Sequence, residues 1–123
     1  GKHRRDFTYI DDVVEGIIRV LKKPAKGSDT WNSNDPDPGS SIAPWRVYNI
    51  GNNKPIDLLD YIEAIEKSLD KKAIKNLLPL QPGDVPDTYA DVSHLVADLN
   101  YRPSMNINKG VRNFVEWYLE FQN

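Results

Sequence analysis

The 123 residues predict an α/β fold of about three short strands and four helices, and three observations carry that expectation. Four stretches repeat apolar residues at the 3.6-residue spacing of a helix face. Between them lie short runs of aromatic and β-branched residues bounded by glycine, proline, asparagine and aspartate. Finally, Arg5-Asp6-Phe7-Thr8-Tyr9-Ile10-Asp11-Asp12 joins both signals without a linker, a strand running straight into a helix start.

The first strand is expected just after Arg5, in Phe7, Thr8, Tyr9 and Ile10, residue types that pack on a pleated surface. Asp12 with Glu15 three positions on has the capping-box form, in which the two carboxylates satisfy free N–H groups at a helix start. Val13, Val14, Ile17, Ile18, Val20 and Leu21 give that helix its apolar face. Lys22 and Lys23 suit its C-terminus, and Pro24 ends it.

Residues 26–45 read as one long loop, rich in glycine, proline, serine, asparagine and aspartate. A loop of that length in a compact domain is usually functional or disordered. Trp31 and Trp45 bracket it and are expected to pin its ends by burying large rings. Asn34, Asp35, Asp37 and Gly39 alternate in a way that suggests calcium, but the prolines break the ligand spacing and no glutamate closes the loop. No metal site is expected.

Residues 46–50, with Val47, Tyr48 and Ile50, are the second expected strand. Asp57 is placed to cap the next helix, whose stripe is Leu58, Leu59, Ile62, Ile65 and Leu69. Residues 74–80 are the third expected strand, interrupted by Lys75 and Asn76. Gln81-Pro82-Gly83-Asp84-Val85-Pro86 is a turn. From Asp91 the helical pattern returns in Leu95, Val96 and Leu99, with Asn100 as a left-handed stop and Pro103 preventing resumption. The last helix, about residues 108–121, aligns Val111, Phe114, Val115, Tyr118 and Leu119.

One domain, residues 1–123, is the expectation at this length. A formal net charge of -2 favours neither nucleic acid nor an anionic membrane, the Lys2-His3-Arg4-Arg5 cluster being the one basic exception. The absence of cysteine removes disulfides and thiolate metal sites and fits a reducing, cytoplasmic setting. No apolar run approaches the roughly 18 residues of a membrane span.

Catalytic constellations are missing. The chain has no glycine-rich phosphate turn, no Tyr-x-x-x-Lys pair and no Gly-x-Ser-x-Gly elbow. Its two histidines, His3 and His94, read as structural or surface groups, and Asp11 and Asp12 as caps, because adjacent residues point different ways. No catalytic or cofactor-binding residue is assigned. Binding chemistry remains. Arg5, permanently charged and fork-shaped, suits a diphosphate, the alternative being a solvated surface cation. Asp84 suits two neighbouring hydroxyls, the alternative being a turn aspartate bonded to its own backbone. Phe7 suits either a core position or a cover over a ligand.

Five motifs in order then carry a resemblance spanning essentially the whole chain: Arg5-Asp6-Phe7, Val47-Tyr48-Asn49-Ile50-Gly51, Gln81-Pro82-Gly83-Asp84-Val85, Ala90-Asp91, and Tyr101-x-Pro103 followed by Trp117-Tyr118. Together they resemble the C-terminal, substrate-binding part of extended short-chain dehydrogenase/reductase nucleotide-sugar epimerases, a Rossmann-type family. The loop with Asn34-Asp35-Pro36-Asp37-Pro38-Gly39 is most similar to its UDP-glucuronate 4-epimerase branch.

The resemblance implies that Arg5 binds the diphosphate of a UDP-sugar, Asp84 the ribose, and Phe7 the nucleotide or sugar. Gln81 stands where many relatives carry a second arginine and keeps a hydrogen-bonding role. It also implies that NAD and the catalytic residues belong to an N-terminal domain absent from this chain. The chain alone is then inactive, and the full-length enzyme is expected to be a cytoplasmic homodimer of polysaccharide biosynthesis that oxidises and re-reduces UDP-glucuronate at C4. Another epimerase or 4,6-dehydratase of the family is the nearer alternative. A stand-alone anion or nucleic-acid binding module reading phosphates through residues 2–5 is the farther one.

Overall fold

The structure, a computed structural model, describes residues 1–122. Its elements are β1 (Arg4–Arg5), α1 (Ile10–Lys22), β2 (Ile56–Asp57), α2 (Leu58–Leu69), α3 (Ser93–Leu99) and α4 (Ile107–Gln122). All four helices stand where the apolar spacing puts them. The strands do not.

β1 lies upstream of the expected Phe7–Ile10 strand, because its ladder partners are there. It pairs antiparallel with β2, Arg4 opposite Asp57 and Arg5 opposite Ile56. On its other edge the Arg4 N–H donates to the Pro86 carbonyl at 2.8 Å, and the Thr88 N–H donates to the Arg4 carbonyl at 3.2 Å. Two residues of β1 thus tie together three distant parts of the chain. Phe7 to Tyr9 leave the ladder, and Ile10 is already the first residue of α1.

The expected capping box does not form. Tyr9 is the residue before α1 and makes no side-chain cap. Asp12 instead turns off the helix, accepting from the Ser104 and Met105 N–H groups at 3.0 and 2.8 Å and from the Tyr101 hydroxyl at 3.2 Å. Glu15 pairs with Arg19 one turn on. Asp57 likewise precedes α2 without a side-chain cap. At the other ends the expectations hold: Asn100 stops α3 with φ 47°, in the left-handed region.

The other two expected strands are corrected as well. Residues 46–50 run as irregular chain, their backbone pairing limited to a bridge between Ser40 and Arg46, because among the described residues no strand lies alongside to pair with them. Residues 74–80 have no regular structure; Ile74 is fully exposed, and Leu77, Leu78 and Leu80 are exposed too. Leu78 and Leu80 only edge a hollow at His3 and Pro86 and stay largely exposed, so burial does not drive the segment into a sheet.

Two clusters form the core. Ala64 of α2 packs on Val111 and Val115 of α4, with Tyr61, Ile65, Leu69 and Ile107 around them. Val92, Leu95 and Leu99 around α3 pack against Val20 of α1 and against Tyr48, Ile50 and Tyr101. Gly51 allows a close crossing: a Cβ there would stand 2.3 Å from that of Ala90 and 2.9 Å from Asp6 Oδ2, which is no room at all.

The long loop is held by polar groups rather than by its tryptophans. Trp45 is 42% exposed, against expectation, while half-buried Trp31 donates from Nε1 to the Asp37 carbonyl at 3.3 Å. Arg46 bridges Asp37 at 3.0 Å and Asp98 at 3.2 Å, and the Tyr48 hydroxyl donates to Asp98 at 3.0 Å. Among the described residues no helix is long and apolar enough to cross a membrane.

Candidate functional site

β1 ends in Arg5, and its neighbour across the ladder edge is the turn at residues 81–86. In that turn Pro82 and Gly83 take the second and third positions, Gly83 with φ 87°, and the Asp84 N–H donates back to the Gln81 carbonyl at 3.1 Å. This is the type II pattern, which needs glycine where φ is positive. The turn sets the Asp84 carboxylate directly against the arginine. Arg5 Nη2 donates to Asp84 Oδ1 at 3.1 Å, and Arg5 Nη1 donates to the carbonyls of Pro86 and Arg4 at 3.0 and 2.9 Å.

Those bonds use three of the five N–H donors of a guanidinium, so the fork is oriented without being spent. The Arg5 side chain retains 27% of its exposure and Asp84 45%. Oδ1 of Asp84 also accepts the Val85 N–H at 3.0 Å. His3 approaches the other oxygen: Nε2 lies 3.3 Å from Oδ2, yet at an angle that makes no hydrogen bond, and that nitrogen is shut off from solvent.

Of the residues singled out in the sequence, the fold brings Arg5 and Asp84 into contact and sets Gln81, exposed, at the foot of the same turn. Phe7 goes elsewhere. It stacks on Tyr61 and lines a cleft of about 210 Å³ with Tyr9, Met105, Ile107 and Phe114, a cleft that neither Arg5 nor Asp84 lines.

Sequence reasoning passed over Asp6. Its carboxylate accepts from the backbone N–H groups of Asn53 and Ala90, both at 3.0 Å, and of Lys54 at 3.3 Å, while its own N–H donates to Thr88 Oγ1 at 3.1 Å. It therefore locks the loop after Gly51 and the segment before α3 onto the end of β1. The signal was available in outline: an aspartate between a cation and an aromatic, with a glycine far along the chain that leaves room for it.

Elsewhere the charged groups serve the scaffold. Burial alone would lower the Arg46 guanidinium, but Asp98 and then Asp37 outweigh it and raise it above its ordinary value. Asp37 is held low by the Ser40 hydroxyl, the Gly39 N–H and Arg46. Burial, with Asp12 beside it, pushes the Tyr101 phenol up to about 12. His94 is exposed, and among the described residues no cluster of three or more acidic, histidine or cysteine side chains is placed to hold a metal.

Residues 1–51 match the NAD dependent epimerase/dehydratase family. Protein CapI of Staphylococcus aureus is 55% identical over 121 residues, which is 98% of this chain and 36% of that protein. The chain is thus similar to members of that family along nearly its whole length. A probable UDP-glucuronate 4-epimerase of Rhizobium meliloti (strain 1021) is 42% identical over 119 residues, covering 96% of this chain and 35% of its own length. The crystal structure of UDP-glucuronic acid 4-epimerase from Bacillus cereus, in complex with UDP-glucuronic acid and NAD, superposes with a TM-score of 0.74 at 30% identity. That match covers 98% of this chain and 33% of the other. The fold therefore matches the C-terminal part of Rossmann-type epimerases, and the chain spans about a third of the length of the curated relatives it matches.

Proposed function

We propose that this chain forms the UDP-sugar-binding part of an NAD-dependent UDP-glucuronate 4-epimerase, in which UDP-glucuronate and UDP-galacturonate are interconverted at C4. The observation that carries the proposal is the Arg5–Asp84 pair: a guanidinium aimed by a carboxylate and a backbone carbonyl, partly open to solvent, on a strand end facing a type II turn. A guanidinium so fixed presents its remaining donors to a diphosphate without a further cost in side-chain order. Asp84, with lone pairs left on Oδ2, suits the hydroxyls of a ribose. Gln81 at the same turn adds a neutral hydrogen-bonding group, and Phe7 supports the segment from behind through Tyr61.

The described residues do not fit NAD. They form no parallel sheet with a glycine-rich turn, and the space beside Gly51 is filled by Ala90 and Asp6. In this reading the cofactor and the groups that move protons at C4 come from the N-terminal part of the full-length protein. This chain's own contribution is to hold the nucleotide end and let the sugar reach them. Names of relatives support the 4-epimerase reading over a 4,6-dehydratase. A stand-alone nucleic-acid-reading module is disfavoured, because Arg4 pairs with Asp87 at 3.0 Å and the chain carries a formal net charge of -2, which leaves no extended basic face.

The deciding experiment incubates the full-length protein with NAD and UDP-glucuronate and follows the anomeric proton signals by NMR. Appearance of UDP-galacturonate supports the proposal. Turnover of UDP-glucose or dehydration of the substrate in its place would replace it with another member reaction of the family, and turnover by residues 1–123 alone would overturn the division of roles.

A further inference from the structure

His3 has an unusual position. Its Nε2 is excluded from solvent, makes no hydrogen bond, and stands 3.3 Å from Asp84 Oδ2, just outside bonding geometry. A buried donor left unpaired is a standing cost, and a small rotation of the Asp84 carboxylate or of the ring would remove it. The backbone cannot supply that movement, since β1 is paired on both edges and the His3 carbonyl accepts the Leu58 N–H at 2.9 Å. The slack therefore lies in the two side chains.

We propose that His3 is a positioning residue for Asp84, donating from Nε2 to Oδ2 when a nucleotide occupies the site, and that its protonation tightens nucleotide binding. The proposal rests on Arg5 and Asp84 forming the UDP-sugar site. With Arg5 on Oδ1 and His3 on Oδ2, the carboxylate is held from both ends and cannot rotate about its own axis. One lone pair of Oδ2 then stays directed at a ribose hydroxyl. Donation needs the tautomer with a proton on Nε2, or the imidazolium, which also adds a positive charge near the diphosphate.

The charged groups set against the imidazole are Asp84, from the turn, and Arg5 behind it. Arg4 on the same strand is engaged with Asp87. The rest of the hollow holding His3 is Leu78, Leu80 and Pro86, closed by Gly1 and Lys2, so Lys2, like Arg4, is a flanking positive charge.

The test is calorimetric binding of UDP to the full-length protein across about pH 5.5 to 8, the range in which a histidine titrates. Wild-type affinity is expected to rise about fivefold on acidification. His3→Gln, which places an amide donor where Nε2 stands, should keep most of the neutral-pH affinity and lose the pH dependence. His3→Met should lose both, weakening UDP about fivefold to tenfold while NAD affinity stays as in wild type. Equal affinities and equal pH profiles for wild type and His3→Met, with Arg5→Ala still weakening UDP, would overturn the role of His3 and leave the site standing. Absence of UDP binding by the wild type would overturn both.

Discussion

The ring of Phe7 lies flat on the ring of Tyr61, centroids 4.0 Å apart and planes 8° from parallel. Phe7 sits between β1 and α1 and Tyr61 belongs to α2, so the stack fastens the α2–α4 pair to the strand that carries Arg5. Stacked aromatic pairs contribute about 0.5–1.5 kcal/mol beyond the area they bury. In a double-mutant cycle of Phe7→Leu and Tyr61→Leu, read by urea unfolding, a coupling of about 1 kcal/mol is expected. A coupling near zero would show that the two rings merely lie side by side.

Arg5 fastens the turn at residues 81–86 and, in the proposed function, also binds the diphosphate; its two substitutions separate these roles. Arg5→Lys keeps the charge but loses the planar fork, and should weaken UDP binding to the full-length protein about tenfold (~1–2 kcal/mol). Arg5→Ala should cost ~2–4 kcal/mol, from about thirtyfold to several hundredfold. UDP and UDP-glucuronate should lose affinity equally and NAD not at all. Calorimetry showing Arg5→Ala binding UDP like the wild type would return Arg5 to a surface cation.

Glu66 is the buried acid of the fold, 6% exposed, and it ties the segment after α2 back onto the helix. Lys72 at 2.8 Å, Lys75 at 2.7 Å and the Ala73 N–H at 3.0 Å all donate to it. Those bonds, Lys72 first, lower its carboxyl from 4.5 to about 2. A folded value below the unfolded one means stability fully present above pH 4.5 and lost as pH falls toward 2. Thermal unfolding of the wild type should therefore weaken steeply between those values, and Glu66→Gln should flatten that part of the profile. An unchanged acid limb in Glu66→Gln would refute the assignment.

Asp6 carries three backbone N–H groups on one carboxylate. Asp6→Ala should cost about 1–3 kcal/mol by leaving the partly buried Asn53 and Ala90 donors unpaired, and Asp6→Asn less, since one oxygen acceptor survives. Amide exchange should show where: Asn53 and Ala90 should lose protection while the interior of α4 keeps it. Uniform loss along the chain would mean global unfolding in place of a local release.

What the sequence made legible follows from which signals are local. Helices α1 to α4 are written in their own apolar spacing, and Asn100 and the Pro82-Gly83 turn in residue chemistry at single positions, so each was readable without a partner. Strands depend on what lies beside them. Phe7 to Ile10, residues 46–50 and residues 74–80 have the composition of strands but no ladder partner among the described residues, while Arg4 and Arg5, unremarkable by propensity, pair on both edges. Asp12 was misread for a related reason: a carboxylate at a helix start looks like a cap, and only the fold shows that the Ser104 and Met105 N–H groups compete for it. Arg5 and Asp84 could be named because the motif order placed them; that His3 stands 3.3 Å from the same carboxylate depends on an alignment across 81 residues of sequence.

The outward face of α1 supplies the last prediction. Ile10, Val14, Ile17, Ile18 and Leu21 recur at the spacing of one helix face, and all are exposed, from 38% for Ile18 to 73% for Leu21. Single exposed apolar residues are ordinary, but a continuous stripe marks a surface that something covers. Residues 1–123 in isolation have only other copies to offer, so the chain should self-associate, seen as a sedimentation coefficient that rises with concentration. Replacing Ile17 and Leu21 by lysine should restore a concentration-independent monomer without loss of helical circular dichroism, because neither side chain contributes to the buried clusters of α2, α3 and α4. If the double lysine variant still associates like the wild type, the sticky surface lies elsewhere, and the exposed Trp117 and Phe121 of α4 become the residues to replace.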